Sequence, residues 1–124
     1  MANDAGHWEW PDELDALVAA PQNHRLLLEN DRVRVVQTHV AVGSRTPVHT
    51  HRWPSVEHVQ ETTDFIRYDG DGNVQFDTRV ADARPAVSEV LWSESLPPHS
   101  LENVGDAELR VIMVELKDRE SGPR

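Results

Sequence analysis

The chain of 124 residues reads as an all-β sandwich or barrel with one short helix near its N-terminus. Three observations carry this expectation. From His24 onward, apolar residues recur with period two, in short runs rich in β-branched types. Turn-forming residues separate those runs at fairly regular intervals. A helical pattern occurs in one segment alone, beginning at Pro11.

The helix comes first in the chain. Proline suits the first helical turn, and Asp12 and Glu13 suit the positive end of the helix dipole. Leu14, Leu17 and Val18 then supply a small apolar stripe, which Pro21 ends. Trp8 and Trp10 are bulky enough to anchor this segment in a groove, with ligand stacking as the alternative. Residues 32–42 (RVRVVQTHVAV) follow the turn-like Asn30-Asp31 and form a strand. Residues 56–68 are extended, with a break near Thr62-Thr63. Asp69-Gly70-Asp71-Gly72 is a turn, so residues 73–78 are the return strand of a hairpin. Residues 80–86 read as a loop, and residues 89–92, 100–104 and 109–116 as further strands, the last two joined at Gly105-Asp106. The polar residues 118–124 are a frayed tail. There is no repeat or low-complexity tract.

Composition narrows the function classes. A chain of this length holds one domain with a core large enough that any metal is functional rather than a structural staple. The absence of cysteine excludes disulfides, thiolate sites and a cysteine nucleophile, and agrees with a cytoplasmic protein. No run approaches the apolar length of a membrane span, and the first residues lack the pattern of a signal peptide. A net charge of −10 argues against nucleic acid, whose phosphates need a cationic surface. No glycine-rich phosphate loop and no G-x-S-x-G elbow is present, and nothing marks Glu57 and Glu61 as a glycosidase pair.

His49 and His51 are one residue apart, so on a strand both imidazoles point to the same face and offer two nitrogens to one ion. Gly43 lies six residues before His49, and Pro97-Pro98-His99 opens a strand running to Asn103. Here the sequence resembles the cupin superfamily, whose two motifs read G-x5-H-x-H-x3,4-E-x6-G and G-x5-P-x-G-x2-H-x3-N. Gly43, His49 and His51 match the first motif in spacing, and His99 and Asn103 match the second. The resemblance covers about residues 29–117 and implies a double-stranded β-helix, or jelly roll, for that domain. Residues 1–28 are then an N-terminal extension packed on it, and residues 118–124 the tail.

The departures from the motifs are informative. The glutamate position falls on Ser55 or Val56, and Glu57 comes one residue late. Ser88, Glu94 and Leu96 replace the two internal glycines and the proline of the second motif. Three readings of the fourth ligand position stay open. The leading one is a three-histidine site of His49, His51 and His99; in the others, Glu57 is a ligand, or a catalytic neighbour that orients water or moves a proton. His7 and His24 lie outside the motifs and receive no ligand role. His39 is read as a solvated strand residue, and His58 as a surface or dimer-interface one. Arg45, Arg52 and Arg67 are read as solvated, with contact to an anionic substrate as the alternative. Trp53 and Trp92 line the cavity mouth or belong to the core.

The resemblance implies a divalent metal ion (iron, zinc, nickel or manganese), a small-molecule substrate or ligand, and a homodimer. Three-histidine iron cupins resemble dioxygenases of thiols and β-dicarbonyls. The leading expectation is therefore oxidation or cleavage of a small organic acid or dicarbonyl. A non-catalytic binding or sensing cupin, and a metal-dependent isomerase, decarboxylase or lyase, are the alternatives.

Overall fold

A computed structural model describes residues 8–117. A 3₁₀ turn at Asp12–Leu14 leads into the single-turn helix α1, Ala16–Ala19. Nine strands follow: β1 His24–Glu29, β2 Val33–Val40, β3 His49–His51, β4 Ser55–Glu61, β5 Phe65–Asp69, β6 Val74–Asp77, β7 Val90–Ser93, β8 Leu96–Asn103 and β9 Leu109–Leu116. They form two sheets, a five-stranded one ordered β1-β2-β9-β4-β7 and a four-stranded one ordered β3-β8-β5-β6. Every named strand pair is antiparallel. The all-β architecture read from the alternation is therefore observed, and so is the jelly roll that the resemblance implies. No helix among the described residues is long and apolar enough to cross a membrane.

Several elements differ in detail from the sequence reading. The helical stripe was expected from Leu14, Leu17 and Val18, but Val18 is exposed and the buried face consists of Ala16 and Ala20. Their small side chains let the turn lie close against the sheet, which bulkier residues would prevent. Residues 24–28, placed by sequence in the N-terminal extension, form β1 together with Glu29 and pair with β2. A second helical turn, α2 Thr78–Ala81, occupies the start of the expected loop; Asp77 caps it by accepting from the Arg79 amide at 3.0 Å. Strand β8 runs from Leu96 to Asn103, one residue ahead of the Pro97-Pro98-His99 opening read from the sequence. Trp8 and Trp10 are half-buried. His7 and the tail lie outside the described residues.

Three residues from the motif positions hold the frame. Gly43 has φ +76°, the left-handed region that glycine occupies without strain. Ser88, where the motif has glycine, adopts φ +72°. Asn103 is buried and fully satisfied: its amide donates to the Val40 and Ala107 carbonyls, and its Oδ1 accepts from the Gly105 amide and the Thr63 hydroxyl. That fastens the β8–β9 turn to β2 and to the β4–β5 link. Gly105 is needed there for space, since a Cβ would sit 2.0 Å from Thr63 Oγ1 and 2.9 Å from the Asp64 amide nitrogen. Gly105→Ala is expected to destabilise the fold by about 1–3 kcal/mol, read as a lower midpoint in urea unfolding with an unchanged slope. A midpoint equal to wild type would show that the turn yields freely.

Candidate metal centre

The two sheets meet over a cavity of about 310 Å³. Four histidines line it, His24 from β1 and His49, His51 and His99 from the smaller sheet. Alternation on β3 sends His49 and His51 to one face, while Thr50 between them hydrogen-bonds the Leu14 carbonyl. His99 is the direct cross-strand partner of His49, so their rings lie 4.4 Å apart between centroids. His24 closes the cluster from the opposite sheet, with centroids 4.6 Å from His49 and 5.2 Å from His51.

The expected trio is thus brought together, with a member that spacing alone did not reveal. The candidate nitrogens of His24, His49 and His51 all lie within 4.8 Å of one another, and His99 packs against the last two. The only signal for His24 was its position at the onset of the two-residue period, outside either motif.

Hydrogen bonding sets the tautomers. A carbonyl oxygen only accepts, so Nδ1–H must donate from His24 to Ala20 (3.0 Å), from His49 to Pro47 (2.8 Å) and from His99 to Pro97 (2.8 Å). His51 Nδ1 lies 3.4 Å from Glu115 Oε2. Each imidazole therefore keeps an unprotonated Nε2, the form a metal requires. His24 Nε2 is buried with no hydrogen-bond partner, an uncompensated acceptor that a cation would satisfy. With Zn–N distances of about 2.0–2.1 Å, two nitrogens on opposite sides of an ion stand roughly 4.2 Å apart. The nitrogens of His24, His49 and His51 come within 4.8 Å of one another, near that separation, and neutral imidazole nitrogens suit zinc, iron or nickel, with manganese less suited.

Burial keeps the rings neutral. Desolvation, reinforced by neighbouring imidazoles, pushes His24 and His51 down to about 3 and His99 to about 2. His49 is lowered by burial, opposed by its bond to Pro47.

Beneath the histidines lies a buried ion network. Glu115, 0% exposed, accepts from Arg34 Nε at 2.6 Å, and the two terminal nitrogens of Arg34 donate to both oxygens of Asp15 at 3.0 and 2.9 Å. The Trp53 ring lies 5.1 Å from the guanidinium carbon. Burial raises the Glu115 carboxyl while Arg34 opposes that rise; burial also works against the Arg34 charge, but its two carboxylate partners hold it protonated.

Glu57 lines the same cavity and accepts from the Ser55 hydroxyl at 3.3 Å, so the late glutamate does share the site with the histidines. Burial pushes its carboxyl up, partly opposed by the Ser55 bond and the Arg67 charge. Arg67 also lines the cavity, contrary to the solvated reading, and Trp92 is a half-exposed wall residue. Trp53 belongs to the ion network, not the cavity mouth.

Two tests follow from this arrangement. Arg34→Met is expected to cost about 3–5 kcal/mol because it strands the buried Glu115 charge, whereas Arg34→Met with Glu115→Leu should recover most of that loss. Chemical denaturation of both variants checks it, and equal losses would show that the two groups are not coupled. The second test concerns pH. In metal-stripped protein the unfolded chain takes a proton at His99 near pH 6.5 that the folded chain refuses until about pH 2. The His99 contribution to stability is therefore complete above pH 6.5 and declines as pH falls toward 2, by up to about 1.4 kcal/mol per pH unit. His99→Asn should show a shallower fall between pH 6.5 and 5 than wild type, and the shared carboxylates cancel in that comparison. Identical slopes would mean that His99 is not held neutral.

No family model matches the chain, and no curated protein matches it. Solved structures do. A cupin domain from Bordetella pertussis Tohama I is 18% identical over 77% of this chain and 92% of that one, with a TM-score of 0.61. An RmlC-like cupin family protein with a double-stranded β-helix fold, from Methanocaldococcus jannaschii, is 9% identical over 79% and 82%, at 0.55. The polyketide cyclase RemF from Streptomyces resistomycificus is 20% identical over 77% and 64%, at 0.51. Together with two antiparallel sheets enclosing a histidine-lined cavity, these likenesses give the chain the cupin fold, a double-stranded β-helix of the RmlC-like kind.

Proposed function

We propose that this protein is a metal-dependent cupin enzyme acting on a small organic acid or dicarbonyl compound. The observation that carries this reading is the set of four buried imidazoles in one cavity, with Nδ1 of each engaged and Nε2 of each left without a proton. His24, His49, His51 and His99 would hold a divalent ion, which would supply Lewis acidity toward a carbonyl oxygen. All four donors are neutral, so no ligand carboxylate would reduce the charge of the ion.

Glu57 is the proton-transfer group in this reading. Burial raises its carboxyl above the ordinary carboxylate value, and the Ser55 hydroxyl donates to one of its oxygens. The apolar walls, among them Val59, Val111 and Met113, limit water around it. Removal of a proton next to a carbonyl is the chemistry that such a pairing favours, and it underlies isomerisation, cyclisation and lysis alike. The wholly nitrogenous donor set favours a second reading, oxygen-dependent cleavage of a dicarbonyl at iron. The exposed apolar residues Leu26, Leu27 and Leu28 on the edge strand β1 support the homodimer as a further part of the proposal.

The test begins with metal content by plasma mass spectrometry on untagged wild type, His24→Ala and His99→Ala. Near-stoichiometric metal that falls at least tenfold in both variants is the expected result, and metal-free wild type that takes up no added zinc, iron or nickel overturns the site. Deuterium exchange at the central carbon of 2,4-pentanedione, followed by NMR, should then be faster with loaded wild type than with Glu57→Gln. Oxygen consumption without that exchange would favour the second reading.

A further inference from the structure

Of the three arginines that could meet an anion, two are engaged elsewhere. The guanidinium of Arg45 lies 3.7 Å from the centre of the Tyr68 ring and donates to the Ser100 hydroxyl at 3.2 Å. Arg52 lies near the Trp53 ring, at 5.6 Å. Arg67 is different. It projects from β5 into the histidine-lined cavity and is the only arginine or lysine among the residues that line it.

Its partners within the protein are few. The guanidinium carbon is 6.0 Å from the centre of the Phe76 ring, a weak contact. The buried Nε has no hydrogen-bond partner, and among the described residues no carboxylate lies within ion-pair distance of the side chain. Glu57 attracts it only at longer range. A guanidinium facing an apolar-lined space without a partner is costly, and a ligand anion removes that cost. The planar fork of arginine matches a carboxylate through two parallel N–H···O bonds. Elsewhere the cavity wall, with Val59, Phe65, Phe76, Leu91 and Val111, offers hydrocarbon and aromatic surface. The cavity, about 310 Å³, is at the small end of the range for ligand sites.

We propose that this cavity binds a small organic carboxylate with an apolar or aromatic body, Arg67 gripping the carboxylate while Phe65 and Phe76 contact the body. This specifies the substrate class of the site proposed above and rests on that reading only in taking this cavity as the substrate cavity. Anion capture by Arg67 needs no metal, so the two ideas fail separately.

The experiment is done on full-length, metal-stripped protein at pH 7.5, where a carboxylate has no ion to bind. Benzoate and its neutral isostere benzamide are titrated by NMR into wild type, Arg67→Gln and Arg67→Lys, with circular dichroism confirming the fold. Wild type should bind benzoate about tenfold or more tightly than benzamide. Arg67→Gln should bring the ratio close to one, and Arg67→Lys, with charge but no fork, should fall between. Wild type without a preference for benzoate, or Arg67→Gln that keeps the full preference, overturns the proposal. If Arg67→Gln does not fold, Arg67→Lys decides: a full preference in it overturns the paired grip, and a reduced one supports it. Zinc titration of the same proteins separates the two readings. Zinc uptake that is unchanged in a variant lacking the benzoate preference assigns Arg67 to the ligand alone. Absence of zinc uptake by wild type would remove the metal centre while leaving the carboxylate result to stand.

Discussion

The Arg34 guanidinium, buried between Asp15 and Glu115, is the interaction on which the rest of the site depends. It joins three parts of the chain that are far apart in sequence: the turn before α1, strand β2 and strand β9. Glu115 is fully enclosed, and a carboxylate there would be untenable without a cation beside it. Once neutralised, it presents its second oxygen to His51. Asp15, held by the other side of the guanidinium, also accepts from the Leu17 amide and so caps α1. Its backbone bridges Thr50, between the two histidines of β3. One ion network thus sets both the floor of the cavity and the seat of the N-terminal segment.

That linkage explains why α1 is built from small residues. Ala16 and Ala20 have no exposed surface, and the Ala20 carbonyl receives the Nδ1 proton of His24. The helix therefore acts as a strut for one histidine rather than as added hydrophobic mass. The interior is polar to match. Fully enclosed side chains include Glu115, Asn103, Thr50, Thr63, Thr78, Ser55 and Ser100, alongside Val36, Val40 and Val59. Most of these polar groups have hydrogen-bond partners, which lets the fold carry them at little net cost. Of the three buried side-chain atoms without a partner among the described residues, His24 Nε2 and Arg67 Nε belong to residues that line the cavity, and Asn23 Oδ1 lies outside it. Unsatisfied groups gathered where a ligand would enter are what a binding site requires and a core does not.

The electrostatic arrangement divides the cavity by function. Neutral imidazoles, kept so by burial and by their shared crowding, form a nitrogen-rich wall. Glu57, from the five-stranded sheet, and Arg67, from the four-stranded one, bring opposite formal charges without closing into a salt bridge. A collapsed pair would occupy both groups. Held apart, each stays available to a ligand, and each shifts the other toward its ionised form.

The sequence by itself determined the features that depend on neighbours along the chain. Alternation placed β2, β4 and β9, Asp69–Gly72 placed the β5–β6 hairpin, and the break at Thr62-Thr63 separates β4 from β5 as expected. The same two-residue period put His49 and His51 on one face, and the resemblance in spacing added His99, which the register then set opposite His49. Tertiary structure decided the rest. His24 joins the cluster because β1 folds onto β2 and brings its ring across from the other sheet, a relation that no local spacing records. Arg34 and Glu115 look like ordinary charges alternating on two strands, and only the pairing of β2 with β9 makes them opposite neighbours inside the molecule. Arg67 read as solvated because a charged side chain on a strand usually is; the enclosing sheets turned it inward. Local chemistry sets which face a side chain occupies, whereas long-range strand pairing sets which groups that face meets.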